Sequence, residues 1–328
     1  MQTRLLPPGP ENLELGRQFL LQDLPVAFPT ETVYGLGADA RSEQGVRAVF
    51  EAKGRPADNP LIVHLADPGQ IGECAEWTPL GRTLAQALMP GPVTLVLRKK
   101  AIISPAVTAG LDTVGLRVPD HPVAHAFLQC CGFPVAAPSA NTSSRPSPTT
   151  AEAVLEDLRG RIPLILDGGP CRVGIESSVI DVTGDRPVIL RPGRVTAEDL
   201  AAFAEAETYE LRPGESPRSP GLKYRHYAPA CEAVLVRPER RELLEEAVRQ
   251  AMQEGKRVGV LARPGFYAGE APLFSLGQTV DDMARLLFFS LRAAEKESDL
   301  LFVEAPEDSG FGRAVLNRMR KACGGREL

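Results

Sequence analysis

Lys53-Gly54-Arg55-Pro56-Ala57-Asp58-Asn59-Pro60-Leu61-Ile62-Val63-His64 is the stretch that decides how the rest of the chain is read. Residues Ser42–Ala52 before it read as a helix with Ser42 at the N-cap, and Leu61–Leu65 is a short apolar run of β type. A helix, a loop stiffened by Pro56 and Pro60, and a strand make up the repeating unit of an α/β domain. Lys53 and Arg55 stand at the helix end, where cations favour the dipole, so capping alone accounts for them as well as a ligand does.

A second polar signature, Pro138-Ser139-Ala140-Asn141 followed by Ser147-Pro148-Thr149, also sits beside a β-type run, Val135–Ala137. Lys and Arg supply charge and a planar donor fork, while Ser and Asn supply short neutral hydrogen bonds. Cations at one strand end and a Ser/Asn pair at another suit a phosphate-bearing ligand.

Outward from these signatures, helix-like stretches (Glu11–Gln22, His121–Cys131) alternate with strand-like ones (Val26–Phe28, Val93–Leu97, Val114–Val118, Ile162–Leu166, Ser178–Val182, Val188–Leu190). Thr149-Thr150-Ala151-Glu152 fits a capping box for a helix through Leu158, and Thr196 with Asp199 caps another. The spacing predicts an α/β domain over residues 1–206 with a sizeable mixed sheet. Residues 207–230 are Pro-rich and aperiodic, and read as a linker whose Lys223, Tyr224, Arg225, His226 and Tyr227 are unusual for a passive spacer. Strand-type and helix-type runs resume over 231–328 (Ala233–Val236, Pro238–Glu254, Arg257–Ala262, Pro272–Ser275, Val280–Lys296, Leu300–Glu304, Gly310–Cys323). They predict a smaller open α/β domain with no evident catalytic set.

Composition narrows the class. A chain of 328 residues, 43% hydrophobic and 24% charged, is ordinary for a globular protein of two domains. No apolar run reaches the roughly 18 residues of a membrane span, and the N-terminus lacks a signal-peptide centre, so a cytoplasmic protein with no membrane association is expected. The six cysteines form no Cys-x-x-Cys pair and read as reduced, buried residues. His121 and His125, spaced for one helix face, have no carboxylate or cysteine beside them, so no metal-ligand set is expected. A net charge of −5 argues against a surface built for nucleic acid, though it leaves room for a local basic cleft.

Gly35-Leu36-Gly37-Ala38-Asp39-Ala40 superficially matches a dinucleotide fingerprint, but Pro29 to Tyr34 separate it from the preceding strand, where that motif needs a tight turn. No P-loop occurs. Pro29-Thr30-Glu31-Thr32-Val33-Tyr34-Gly35-Leu36 offers hydroxyls, a carboxylate and a phenol, either to cap a turn or to rim a pocket. Arg117 falls inside an apolar strand and must find a partner: a carboxylate ligand, or a structural Asp or Glu. Small residues after Val135, and glycines at Gly168-Gly169 and Gly174, allow a ligand to approach the backbone. Lys53, Arg55, Arg117, Arg191 and Arg194 all fall at loops or strand ends, and form a positive cleft if they converge.

With these segments assembled, the chain resembles the YrdC-type family of threonylcarbamoyl-AMP synthases in its two-domain form. The matching segments are Pro29–Leu36, Lys53–His64, Pro90-Gly91-Pro92-Val93-Thr94, Val114–Pro119, Pro138–Thr150, Gly174–Asp181 and Arg191-Pro192-Gly193, with Ser219–Pro229 matching the linker. The resemblance implies a twisted mixed sheet with flanking helices and a central cleft, a Rossmann-like second domain, and a linker that covers the site. It implies condensation of L-threonine, bicarbonate or CO2, and ATP into threonylcarbamoyl-AMP and pyrophosphate, the product passing to tRNA-modification machinery. Thr32, His64, Arg117 and Ser177 would surround threonine. Lys53, Arg55, Asn59, Thr113, Ser139, Asn141, Ser147, Arg191 and Tyr227 would hold ATP, with Lys53 and Arg55 as catalytic cations, Mg²⁺ accompanying ATP and no tightly bound cofactor. The family commonly has Gly at the position of Ser144 and Thr at that of Ser178.

Such chemistry asks for alignment of three reactants and neutralisation of phosphate charge rather than for a catalytic triad. Two other readings compete with it: a non-catalytic module for tRNA or double-stranded RNA, and a carbamoyl-transfer relative with another acceptor. The acidic total charge counts against the first, although weak tRNA binding is compatible with the synthase reading.

Overall fold

The computed structural model describes residues 1–209 and 226–328. Two compact units emerge. The first comprises residues 1–143, 148–172 and the described part of 176–223, and the second comprises 144–147, 173–175 and the described part of 224–328.

The first unit carries strands β1 (Arg4–Leu6), β2 (Val26–Phe28), β3 (Gly35–Asp39), β4 (Ile62–His64), β5 (Val93–Arg98), β6 (Thr113–Arg117), β7 (Val135–Ala136), β8 (Leu164–Leu166), β9 (Ser178–Asp181), β10 (Val188–Arg191) and β11 (Glu207–Thr208). Its helices are α1 (Pro10–Leu21), α2 (Glu43–Lys53), α3 (Ile71–Cys74), α4 (Pro79–Leu88), α5 (Pro122–Cys131), α6 (Ala151–Leu158) and α7 (Ala197–Leu200). The strands form one mixed sheet in the order β1-β8-β2-β3-β7-β4-β6-β5-β9-β10-β11.

Strand alternation splits the core in two. Val26 and Phe28 of β2, and Leu164 and Leu166 of β8, pack with Leu13 and Leu20 of α1 and with Phe127 and Leu128 of α5. Their neighbours Ala27 and Ile165 point the other way, into a core shared with Val46, Val49 and Phe50 of α2, Leu84 of α4 and Val154 of α6. A period of two places successive side chains on opposite faces, so both faces of the sheet are covered. Each fully buried Leu or Phe contributes about 1.5–3 kcal/mol to this arrangement.

Several elements follow the sequence expectation closely, and others correct it. Ser42 caps α2 by accepting from Gly45 N, and Thr196 with Asp199 forms a capping box on α7. The cap of α6 is Thr150, which accepts from Ala153 N, so the expected box starting at Thr149 is displaced by one residue. Glu207 and Thr208, expected to open the linker, extend the sheet by pairing parallel with Val188 and Ile189. Gly35–Asp39 is a strand buried along its whole length, a role that disposes of the dinucleotide reading. A Cβ on Gly37 would lie 2.9 Å from Val135 and 3.1 Å from Phe28, so the glycine serves packing.

The second unit has a parallel sheet of β12 (Glu232–Val236), β13 (Val258–Ala262), β14 (Leu273–Ser275) and β15 (Leu300–Glu304), ordered β12-β15-β13-β14. Helix α8 (Arg241–Gln253) packs on β13, α9 (Val280–Ala294) on β13 and β14, and α10 (Gly310–Ala322) on β12 and α9. The expected helix from Pro238 begins as a single 3₁₀ turn, Pro238–Arg240, before α8.

Residues 144–147 belong to this unit through specific bonds. Ala228 N donates to Ser144 O at 2.9 Å, Arg292 Nη2 donates to Pro146 O at 2.6 Å, and Arg145 forms a two-pronged ion pair with Glu295. Ser144 has φ 73°, a left-handed conformation that glycine adopts without strain, which is the physical sense of the glycine that the family commonly carries there. Gly174 (φ 84°) lies so close to α9 that a Cβ would sit 2.3 Å from Arg285 Cα.

Candidate active site

Strand register sets the geometry. His64 of β4 pairs with Arg117 of parallel β6, and antiparallel β5 runs back so that its start, Val93, lies opposite Ser178 of β9. Antiparallel β10 then brings its end, Arg191, opposite Val179. His64, Arg117, Ser177 and Arg191 therefore gather at one end of these strands. Asn59, which precedes β4, and Ser139 and Asn141, which follow β7, belong to the other end, as does Thr113 at the start of β6.

The two polar signatures meet through Lys53. Its Nζ donates to Ser139 O at 2.5 Å, to Asn141 O at 2.6 Å and to Asn141 Oδ1 at 3.4 Å. Ser139 Oγ donates to Asn141 Oδ1 at 2.6 Å, and Ser143 N donates to Lys53 O at 2.9 Å. Lys53 is buried, and desolvation together with the Arg55 charge pushes its pKa down to about 7. Three acceptors around Nζ favour the ammonium against that penalty. Lys53 thus fastens the Ser139–Asn141 turn to the end of α2, a structural task that the phosphate reading of this residue left out.

Arg55 is half-buried, donates from Nη2 to Asn59 O at 3.0 Å, and lies over the Phe50 ring at 5.4 Å. Asn59 is fully buried, and neither atom of its side-chain amide has a partner among the described residues. Buried amides are costly unless a ligand or a water supplies both a donor and an acceptor.

At the opposite strand end, Arg117 is buried and its Nη2 lies 2.8 Å from Oε1 of Glu31, which is fully buried. Beside them, Thr32 and Thr30 share a hydroxyl contact of 2.9 Å, and Thr30 Oγ1 donates to Val33 O at 2.6 Å. With the Thr30 proton so committed, the Thr32 hydroxyl is the donor to Thr30. His64 is buried with Nδ1 3.2 Å from Ile62 O, and burial followed by the Arg117 charge holds its pKa down near about 3, so the imidazole is neutral. Ser177 Oγ contacts Thr94 Oγ1 at 2.9 Å, while Arg191 donates from Nε to Ser177 O at 3.0 Å and from Nη2 to Ser177 Oγ at 3.1 Å. Gly193 permits this fit, since a Cβ there would lie 2.3 Å from Ser178 N. Ser178 Oγ donates to Val195 O at 2.6 Å, a bond that the threonine common in the family could also make.

The structure thus brings Thr32, His64 and Arg117 into one buried neighbourhood and links Ser177 to Arg191. Of the five cations expected to form a positive cleft if they converged, Arg117 is matched by Glu31, the structural acid that was one of its two expected partners, and Arg194 is exposed. Arg191, expected with the ATP set, lies at the strand end that carries His64 and Arg117. Sequence reasoning missed the roles of Glu31 and Thr94, although Glu31 was visible as a lone acid among hydroxyls. His121 caps α5 by accepting from Val123 N, and His125 Nδ1 lies 3.1 Å from Ala66 O, so each has a structural task.

Ser147 and Tyr227 fall in the second unit. Both are buried, and the Tyr227 ring stacks on Phe288 with centroids 5.1 Å apart. Lys223, Tyr224 and Arg225 lie outside the described residues. No helix among the described residues is long and apolar enough to cross a membrane.

Comparison with known proteins gives a consistent picture. Residues 18–193 match the Sua5/YciO/YrdC family, described as telomere recombination, and residues 195–324 match the threonylcarbamoyl-AMP synthase C-terminal domain. A threonylcarbamoyl-AMP synthase of Pyrococcus abyssi is 44% identical over 95% of this chain and 94% of its own length. One from Bacillus subtilis is 44% identical over 92% of this chain and 90% of its own. The crystal structure of Pyrococcus abyssi Sua5 complexed with L-threonine superimposes with a TM-score of 0.93 at 42% identity, covering 100% of this chain and 98% of that one. Escherichia coli YciO, at 21% identity and a TM-score of 0.52, shares the fold.

Proposed function

The chain belongs to the Sua5/YciO/YrdC family in its two-domain form and is an enzyme with threonylcarbamoyl-AMP synthase activity; from that premise we propose how its residues divide the work. L-threonine takes the Arg117 end, its carboxylate on the Arg117 guanidinium, with Thr32, His64 and Ser177 around it. ATP takes the Asn59, Ser139 and Asn141 end with Lys53, Arg55 and Thr113. The observation that carries this reading is a buried guanidinium paired with Glu31 and set beside a neutral imidazole, with an orphaned amide at the other strand end.

The amine of threonine adds to CO2, drawn from bicarbonate, and the resulting carbamate oxygen attacks the α-phosphorus of ATP with loss of pyrophosphate. Arg117 orients the amino acid, neutral His64 avoids a second positive charge beside it, and Arg55 meets phosphate charge at the mouth of the loop. Lys53 acts chiefly by holding the Ser139–Asn141 turn in place. Mg²⁺ would accompany ATP, on the oxygens of its triphosphate, and offset part of their charge. The mixed anhydride passes to tRNA-modification machinery.

The test is pyrophosphate release from ATP on purified protein. Release that needs both L-threonine and bicarbonate is expected. Release that ignores threonine would point to another acceptor, and no release would refute the assignment.

A further inference from the structure

Glu31 is fully buried, and neither carboxylate oxygen has a hydrogen-bonding partner among the described residues, although Arg117 Nη2 lies 2.8 Å away as its ion-pair partner. An ionised carboxylate offers about four acceptor sites, and one guanidinium edge leaves most of them unmet. Burying such a group is costly unless further donors reach it. Charge balance sharpens the point. A threonine carboxylate drawn to Arg117 would bring a second anion beside Glu31, and two buried anions sharing one cation repel strongly. The threonine ammonium is the cation that restores neutrality, so carboxylate to Arg117 and ammonium to Glu31 close a ring of alternating charges.

On the threonine reading above, we infer that Glu31 is a further catalytic residue, which receives the substrate ammonium and takes its proton for carbamate formation. Glu31 accepts one N–H proton, freeing the nitrogen lone pair. That pair forms the C–N bond to CO2 while one C=O electron pair moves onto oxygen, and the second proton joins the hydroxide that bicarbonate loses in yielding CO2, leaving as water. The charged and titratable groups facing Glu31 are Arg117 at the end of β6, His121 at the start of α5 and Cys171 in the loop after β8, with His64 of β4 beyond Arg117. Burial holds both His121 and His64 below the ordinary histidine range and pushes the Cys171 thiol up to about 12, so none of the three adds a charge beside Glu31 near neutral pH.

The experiment compares wild type, Glu31→Gln and Glu31→Asp in two ways. Calorimetry measures binding of L-threonine and of its analogue with hydroxyl in place of the amino group. Threonine-dependent pyrophosphate release is followed as pH rises toward the range where free threonine carries a neutral amine. Wild type should prefer threonine over the hydroxy acid, and Glu31→Gln should lose about tenfold or more of that preference. Its turnover should climb with pH more steeply than that of wild type, because the missing base matters least when the amine is already neutral. Glu31→Asp should keep the wild-type pH profile with weaker binding, which preserves the test if the Gln variant folds poorly. Unchanged preference and an unchanged pH profile in Glu31→Gln would overturn the assignment. Failure of wild type to bind threonine at all would instead overturn the substrate reading beneath it.

Discussion

Replacing Lys53 by Met keeps most of the volume and apolar stem while removing Nζ. Ser139 O and Asn141 O, which accept from it at 2.5 and 2.6 Å, lose their donor. Each carbonyl left buried without a partner costs about 1–3 kcal/mol. Relief from burying a charge works in the opposite direction, and its existence is visible in the pKa, lowered from 10.5 to about 7. A net loss of about 2 kcal/mol follows, or a fall of about 4–8 °C in Tm for a unit of this size. The pH dependence supplies a signature. Between about 7 and 10.5 the unfolded chain holds a proton on Lys53 that the folded chain has released, so wild-type stability rises with pH across that window. The variant lacks that rise, and its deficit should widen on going from about pH 6 to about pH 9. Thermal unfolding of both proteins without ATP is the measurement. A Met variant as stable as wild type, or a deficit constant with pH, would refute the view that Lys53 is a buried fastener.

Three further outcomes are expected. His64, held near about 3 by burial, is neutral when folded but protonates below its ordinary 6.5 when unfolded, so folding stability falls as pH drops through that window. His64→Asn should flatten the urea midpoint between those pH values. Gly193→Ala places a Cβ where Ser178 N already lies 2.3 Å away, and should cost about 1–3 kcal/mol by denaturant unfolding while raising KM for threonine through Ser177. Glu295→Ala removes the carboxylate that holds Arg145 and accepts from Ala230 N at 2.7 Å. Because Arg145 is partly exposed, the expected loss is about 1–3 kcal/mol, read from unfolding of the second unit.

How much of this could be read beforehand depends on what kind of partner each residue has. Ser42 and the Thr196–Asp199 pair cap helices through their own side chains, and such short-range bonds leave a mark in sequence. Thr78 ahead of Pro79 carries the same mark for α4, which nonetheless escaped notice. Gly35–Asp39 was hidden because a strand buried between two others is free to use glycine where neighbouring side chains crowd it, and that erases β propensity. The Arg117 problem was legible as a choice between ligand and structural acid, and Glu31 supplies the acid. Lys53 was legible as a cation but not as a fastener, since its acceptors are mainly backbone carbonyls, which every residue possesses.

The bonds to residues 144–147 alter what a truncation would mean. A fragment ending at residue 206 would retain Ser144, Arg145 and Pro146 but lose Ala228, Glu295 and Arg292, which hold them. Those bonds would no longer support Ser144 at φ 73°, and the segment leading to Ser147 would lose the three ties named above. The point at which composition changes is therefore not a point at which the protein comes apart. Such a fragment would be a different molecule with a redrawn loop, and the loss of its second half would be felt first at Ser147.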